Sequence, residues 1–473
     1  MKRLVALAFA ATLVLGSLAP AEAIDIKASM TWELGIGWED NTNFRDNKQG
    51  GHEDAFRAAQ RIRPQFDFIS SETLRAVLEF EIGTMYWGEA ESGGRIDADT
   101  TTAYIRRAYL QWSPLDKLEL RMGMQGMTLP SAAFGNAVLD TDVAGVTASY
   151  AFTENVGLTV FWLRPFDRSY DSTDQTDGKN SLDDMDIFGF SLPITTDGVS
   201  FTPWAMYART GNDSGYWELR MDEDRDPDNI FKGSSNMWWA GAAFELSVLD
   251  PFIVKIDATY GRSTSSGDYA PEFSGWLIAG LFEFNTGSMW GNPGLIAWYG
   301  SGDDDGDADD LVDGSGQGKY GRMPIISTDR AGFAPTAYGF AGSAGCMSDG
   351  LLSISGVGTW GLGLQLDGMS FVDKLSHTLR VAYINGTNDE DIIKRGGFTR
   401  DDLPYAIMGE GVYMTKKDHA WEVDFLTSYE VNDNFTIFLE AAYINLDLDS
   451  GVWKDDHKTT DAWKAQILFE FAF

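Results

Sequence analysis

AWKAQILFEFAF, Ala462 to Phe473, closes the chain, and its reading decides the fold. Ile467, Phe469, Phe471 and Phe473 share one parity, while Lys464, Gln466 and Glu470 fall on the other. Successive side chains of a β-strand point to opposite faces, so this segment has one apolar face and one polar face. A tilted strand crosses a bilayer in about 9–11 residues, close to the length of this stretch. If the pattern recurs toward the start, the chain is a barrel in lipid and not a soluble globule.

It does recur. Leu74, Ala76, Leu78, Phe80 and Ile82 alternate with Arg75, Val77, Glu79, Glu81 and Gly83. Phe252, Val254, Ile256, Ala258 and Tyr260 alternate with Lys255, Asp257, Thr259 and Gly261. The same alternation marks 238–248, 276–285, 421–429 and 435–443. Connections alternate between very short (such as Asp250-Pro251 and Asn432-Asp433) and long (such as 128–142, 212–235 and 302–350). Short turns at one end and long loops at the other are the pattern of a transmembrane antiparallel up-and-down β-barrel. The segments give about eighteen strands; sixteen stays open, because turn and strand are hard to separate across 276–285 and 289–300. Aromatics such as Trp112, Trp238, Trp276 and Trp421 fall at segment ends, where membrane girdles form.

The bulk properties fit. Lys2 and Arg3, an apolar run from Leu4, and Ala21-Glu22-Ala23 read as a signal peptide over 1–23, leaving 24–473 as one barrel domain. After that run no apolar stretch approaches the ~18 residues of a membrane helix. A net charge of −35 argues against nucleic acid as a partner. A single cysteine, Cys346, permits no internal disulfide. No composition shift marks a second domain, and the acidic, Gly-rich 302–350 stretch reads as a large loop of the barrel.

RIRPQFDFISSETLRAVLEFEIG (Arg61–Gly83), AYLQW (Ala108–Trp112) and the FEFAF ending give the chain its family likeness. It resembles the bacterial outer-membrane trimeric porins, and more narrowly those of sulfate-reducing bacteria. The resemblance implies a homotrimer of water-filled channels in the outer membrane, where acidic outer loops of this chain would bridge to lipopolysaccharide through divalent ions. It implies that Phe469, Phe471 and Phe473 serve as the signal read by the barrel-assembly machinery. It also implies a third outer loop folded into the lumen. The third long connection is Thr128–Asp142, and its PSAAFGN (Pro130–Asn136) is similar to the Pro-x-x-Phe-Gly region of such loops.

Parity places Arg57, Arg61, Arg63, Arg75, Arg107 and Arg121 on the lumen face of the second to fifth segments, as a basic patch on one wall. Later segments turn Glu245, Asp257, Glu283, Glu422, Asp424 and Glu440 inward, against Lys255 and Arg380. Facing walls of opposite sign would set up a transverse field, with Asp140 and Asp142 on the constriction loop as counter-charges. Equally, a hydrated lumen tolerates charge anywhere. Asp303, Asp305, Asp307 and Asp309 alternate around Gly306 and resemble a Ca²⁺ loop, but Ser301 stands first and no glutamate stands twelfth. A solvated acidic loop is the plainer reading. Gly356-x-Gly358-x-x-Gly361 copies a dinucleotide fingerprint, yet alternating leucines follow it and no helix. Ser376 and His377, as sequence neighbours, point to opposite faces and make no catalytic pair. The expectation is a non-enzymatic porin for small hydrophilic solutes and ions, requiring no cofactor. A sugar- or anion-selective channel and an adhesive barrel are the alternatives.

Overall fold

The computed structural model describes residues 24–44, 54–97, 101–167, 184–211, 216, 234–266, 272–304, 319–327, 332–347, 350–396, 411–453 and 461–473. Residues 1–23, the expected signal peptide, lie outside them. Eighteen strands form one closed antiparallel barrel. They are β1 Asp25–Asp40, β2 Asp54–Ser71, β3 Leu74–Tyr86, β4 Ala103–Leu115, β5 Leu118–Thr128 and β6 Asp140–Ala151. Next come β7 Gly157–Asp167, β8 Asp184–Ser191, β9 Val199–Thr210, β10 Ser234–Leu246, β11 Phe252–Ser266 and β12 Glu272–Phe284. The last are β13 Asn292–Gly300, β14 Thr359–Val372, β15 Leu375–Gly386, β16 His419–Asn432, β17 Phe435–Asp447 and β18 Asp461–Ala472. The ambiguous stretch therefore holds two strands, β12 and β13, and the count is eighteen rather than sixteen.

β8 resumes as Ile194–Thr196, and both pieces pair with β9. The break falls at Pro193, which has no N–H to give the ladder. A two-residue strand, Lys319–Tyr320, runs parallel to the start of β12. Closure is made by β18 on β1, from Ala472 opposite Thr31 to Trp463 opposite Asp40. Met30 and Phe473 exchange both backbone hydrogen bonds, at 3.0 and 3.1 Å, so the terminal phenylalanine belongs to the closing ladder.

The outward faces carry an apolar band between two aromatic belts, as a hydrocarbon-facing wall requires. At the long-loop end the pairs are Trp38–Phe56, Trp238–Tyr260 and Trp276–Tyr299. Indoles there also find polar partners, Trp162 on Asp186 and Trp463 on Asp40, each at 2.9 Å. At the turn end the belt is mostly phenylalanine: Phe252–Phe282, Phe435–Phe469 and Phe471–Phe473.

The interior departs from a simple hydrated tube. Many inward side chains toward the long-loop ends of β7 to β13, among them Leu163, Ile187, Met206, Trp239 and Trp298, are almost wholly buried. They pack against Ile325, Phe333, Tyr338 and Phe340 from the β13–β14 connection. Trp298 meets Phe340 edge-on at 5.1 Å, and Gly361 leaves room for its ring. Burying such rings stabilises the arrangement by about 1.5–3 kcal/mol per large side chain. The long connection expected to lie outside thus turns into the barrel and fills one side of it.

Candidate solute path

The opposite side, formed by β1 to β5, keeps a polar inner face. Register explains why: Glu33 lies opposite Arg61, Gly37 opposite Arg57, Glu79 opposite Arg107 and Gln111 opposite Arg121. The six arginines are not a bare basic patch, because a carboxylate stands beside each. Arg61 pairs with Glu33 at 2.7 Å, Arg63 with Glu81 at 2.6 Å and Arg75 with Asp67 at 3.0 Å. Arg57 reaches Glu39 at 3.4 Å and Arg121 reaches Glu119 at 2.9 Å. Desolvating an unpaired charge is costly, so a crowded ladder of guanidinium groups needs these counter-ions.

Arg106 escaped the parity count. Between Glu79↔Arg107 and Phe80↔Ile105 the register shifts by one, leaving Arg106 as the extra residue of a β-bulge. Both neighbouring arginines then reach the same acids. Arg106 contacts Glu79 at 2.8 Å and Asp142 at 2.7 Å; Arg107 contacts Asp142 at 2.6 Å and Glu79 at 3.4 Å. The available signal was Arg106-Arg107 itself, since a regular strand would send one guanidinium into the apolar wall.

The guanidinium groups stand nearer the water than their partners. Side-chain exposure is 44% for Arg57 against 3% for Glu39, and 31% for Arg107 against 7% for Glu79. Arg61–Glu33 at 10% against 9%, Arg106–Asp142 at 22% against 23% and Arg121–Glu119 at 40% against 34% are the nearly even cases. Among the described residues Arg63 hydrogen-bonds through Nε alone, leaving its terminal nitrogens without a hydrogen-bond partner. A recess of about 520 Å³ opens here, lined by Ser29, Thr31, Arg63, Gln65, Glu79 and Arg106 among others.

Two connections narrow the rest of the lumen. In the β5–β6 connection, Leu129–Leu139, the N–H groups of Ala132 and Ala133 donate to Asp257 of β11 at 2.7 and 2.8 Å, and Ser131 Oγ donates at 2.7 Å. In 332–347, Tyr338 and Gly339 N–H donate to Glu422, each at 2.9 Å. Ala337 N–H donates to Asp424 at 3.0 Å, and Ala344 N–H to Glu440 at 2.8 Å. Lys464 of β18 holds the far end through Met347 O at 2.8 Å and Ser343 Oγ at 3.0 Å. The two connections join each other: Ala334 N–H donates to Phe134 O at 2.7 Å, and the Phe134 and Phe333 rings meet at 6.2 Å. Four acids expected to form an open anionic wall therefore serve as anchors for inserted backbone.

Asp140 and Asp142 do not lie on the inserted connection. They open β6, opposite Thr128 and Gly126, because ladder pairing runs on to Leu129 N–H and Leu139 O. Asp142 still counters two arginines, whereas Asp140 accepts from Thr128 Oγ1 at 2.6 Å. Beyond Ala344 the chain makes a 3-10 turn, Gly345–Met347, beside β1 and β2. There Cys346 and Met347 are buried against Ala59 and Leu468. Burial pushes the Cys346 thiol up from its ordinary value, with the Glu33 charge adding to the effect.

Asp303 is fully buried, 2.8 Å from Arg322 Nε, and takes the Tyr413 hydroxyl at 3.0 Å. A cation there would have to displace that ion pair. Asp305, Asp307 and Asp309 lie outside the described residues.

The chain matches no protein-family model and no curated protein by sequence. Solved structures share its architecture. Acinetobacter baumannii OccAB3 is similar over 95% of this chain and 100% of its own, at 12% identity and a TM-score of 0.54. Pseudomonas aeruginosa OccK8 (OprE) is similar over 95% and 98%, at 11% identity and 0.51. Pseudomonas aeruginosa OpdL is similar over 95% and 99%, at 12% identity and 0.51. These neighbours are outer-membrane porins, and the likeness to them is one of fold.

Proposed function

We propose that the chain is an outer-membrane porin passing small hydrophilic solutes by diffusion along the β1–β5 wall, with preference for solutes that carry carboxylates. The observation that carries this reading is the unequal exposure within the ladder: guanidinium donors face the water and their carboxylates sit behind them. A passing anion finds forked N–H donors with little desolvation left to overcome. The recess at Arg63 and Arg106 is of a size that suits a small organic solute. The inserted connections favour a selective channel over a wide general one, since they occupy the lumen opposite.

Location in the outer membrane is supported by the apolar outer band between aromatic belts. No catalytic role belongs to this reading. A homotrimer, the assembly machinery and kinship with porins of sulfate-reducing bacteria belong to it through sequence resemblance alone, a cleaved signal peptide through the residue pattern of 1–23, and lipopolysaccharide contacts through the acidic outer loops. Divalent-ion binding by the acidic outer loops is a separate proposal, which calorimetry with Ca²⁺ tests. The main reading is tested in planar bilayers. Purified protein should give discrete conductance steps, with saturable block by small organic carboxylates and weaker block by neutral sugars of equal size. Absence of conductance steps, or equal block by both, would overturn it.

A further inference from the structure

Cross-strand register creates a depression in the outward wall near the closing seam. Phe425, Ala441, Ala465 and Trp38 form one row across β16, β17, β18 and β1. Two facing alanines between two large rings leave a recess of about 450 Å³, bounded also by Leu439 and Ile467. An apolar cavity of only ~150 Å³ already takes up benzene, so a dip of this size in a bilayer-facing wall holds hydrocarbon.

The next row supplies a polar group where none is expected. His377 lies opposite Thr427, which lies opposite Leu439. Its Nδ1 is 2.9 Å from Thr427 Oγ1, and its ring stacks on Phe425 at 5.5 Å and 17°. Nε2 has no hydrogen-bond partner among the described residues. A polar atom on a hydrocarbon-facing surface is costly unless something satisfies it. His377 stands two residues beyond Leu375, where β15 leaves its short turn. At about 3.3 Å per residue this is the depth of lipid headgroups and ester groups at the turn end.

The geometry points to a binding site for one phospholipid on this wall: an acyl chain over Ala441 and Ala465, and the phosphate or ester oxygens on His377 Nε2. The site rests on the membrane location given above but not on solute transport. A second barrel seated here would fill the depression with apolar side chains and leave the imidazole unsatisfied.

The test is native mass spectrometry of the full-length barrel in micelles titrated with phosphatidylethanolamine, or with diacylglycerol of the same chains. Folding of each variant is checked by heat-dependent gel mobility. Wild type should retain one phospholipid after detergent is stripped. Ala465→Leu, or Ala441→Leu if the first does not fold, should lose it. His377→Phe keeps the ring stack and should lose the preference for phospholipid over diacylglycerol. Identical lipid retention in wild type and both variants would overturn the site. So would an oligomer that Ala465→Leu dissociates without changing the lipid count.

Discussion

The Asp257 carboxylate of β11 accepts the backbone N–H of Ala133 at 2.8 Å and so ties the β5–β6 connection to a distant wall of the same barrel. With Ala132 N–H and Ser131 Oγ it forms a small cage of donors around one acid. Asp257→Ala removes that acceptor. A hydrogen bond to a charged group contributes about 1.5–3 kcal/mol, so the connection should loosen while the strands persist. Larger, noisier single-channel currents are expected, and unchanged currents would count against the anchor.

Asp142 is shared by Arg106 and Arg107, at 2.7 and 2.6 Å. Asp142→Asn leaves two adjacent guanidinium groups with one counter-charge fewer. Reversal potentials across a salt gradient should move toward anion preference. A shift toward cations, or none, would show that these arginines lie off the conduction path.

Met347 sits over two inward glycines of β1. A Cβ at Gly35 would lie 2.6 Å from Met347 Sδ, and one at Gly37 would lie 3.0 Å from its Cε. Gly35→Ala should therefore cost about 1–3 kcal/mol through overpacking. Adding Met347→Ala should return most of that loss. Thermal unfolding of the two variants checks the pairing, since equal stability would mean the contact is slack.

Cys346 should resist alkylation in the folded barrel. Its thiol is buried and held above its ordinary value, so little thiolate forms at neutral pH. Labelling should rise as the pH becomes alkaline and become rapid once the chain is denatured. Fast labelling of the folded protein at neutral pH would place the 3-10 turn away from Ala59 and Leu468.

The strands were legible because their information is local. Parity alone separated Arg75, Glu79 and Glu81 from Leu74, Leu78 and Phe80, and alternating connection lengths gave the strand number. Three things were not local. Arg106 turns inward through a bulge, which follows from its pairing with β3 and not from its own segment. The acids Glu422, Asp424 and Glu440 alternate like any lumen residues, and nothing adjacent to them reveals that they hold backbone N–H groups from 332–347. The lumen-facing residues Leu163, Met206 and Trp239 blunted the polar side of their strands, a hint that protein and not water lies opposite. Leu468, on the polar parity of the closing strand, carried the same hint.

The claim that solutes follow the guanidinium face is tested most directly by block of single-channel current in wild type and the Arg63→Gln/Arg106→Gln double variant. Both channels are titrated with one small organic carboxylate from the turn side. Two forked, charge-assisted contacts are removed, so the half-blocking concentration should rise about tenfold or more while neutral sugars block both channels alike. Equal carboxylate block in the two channels would contradict the account.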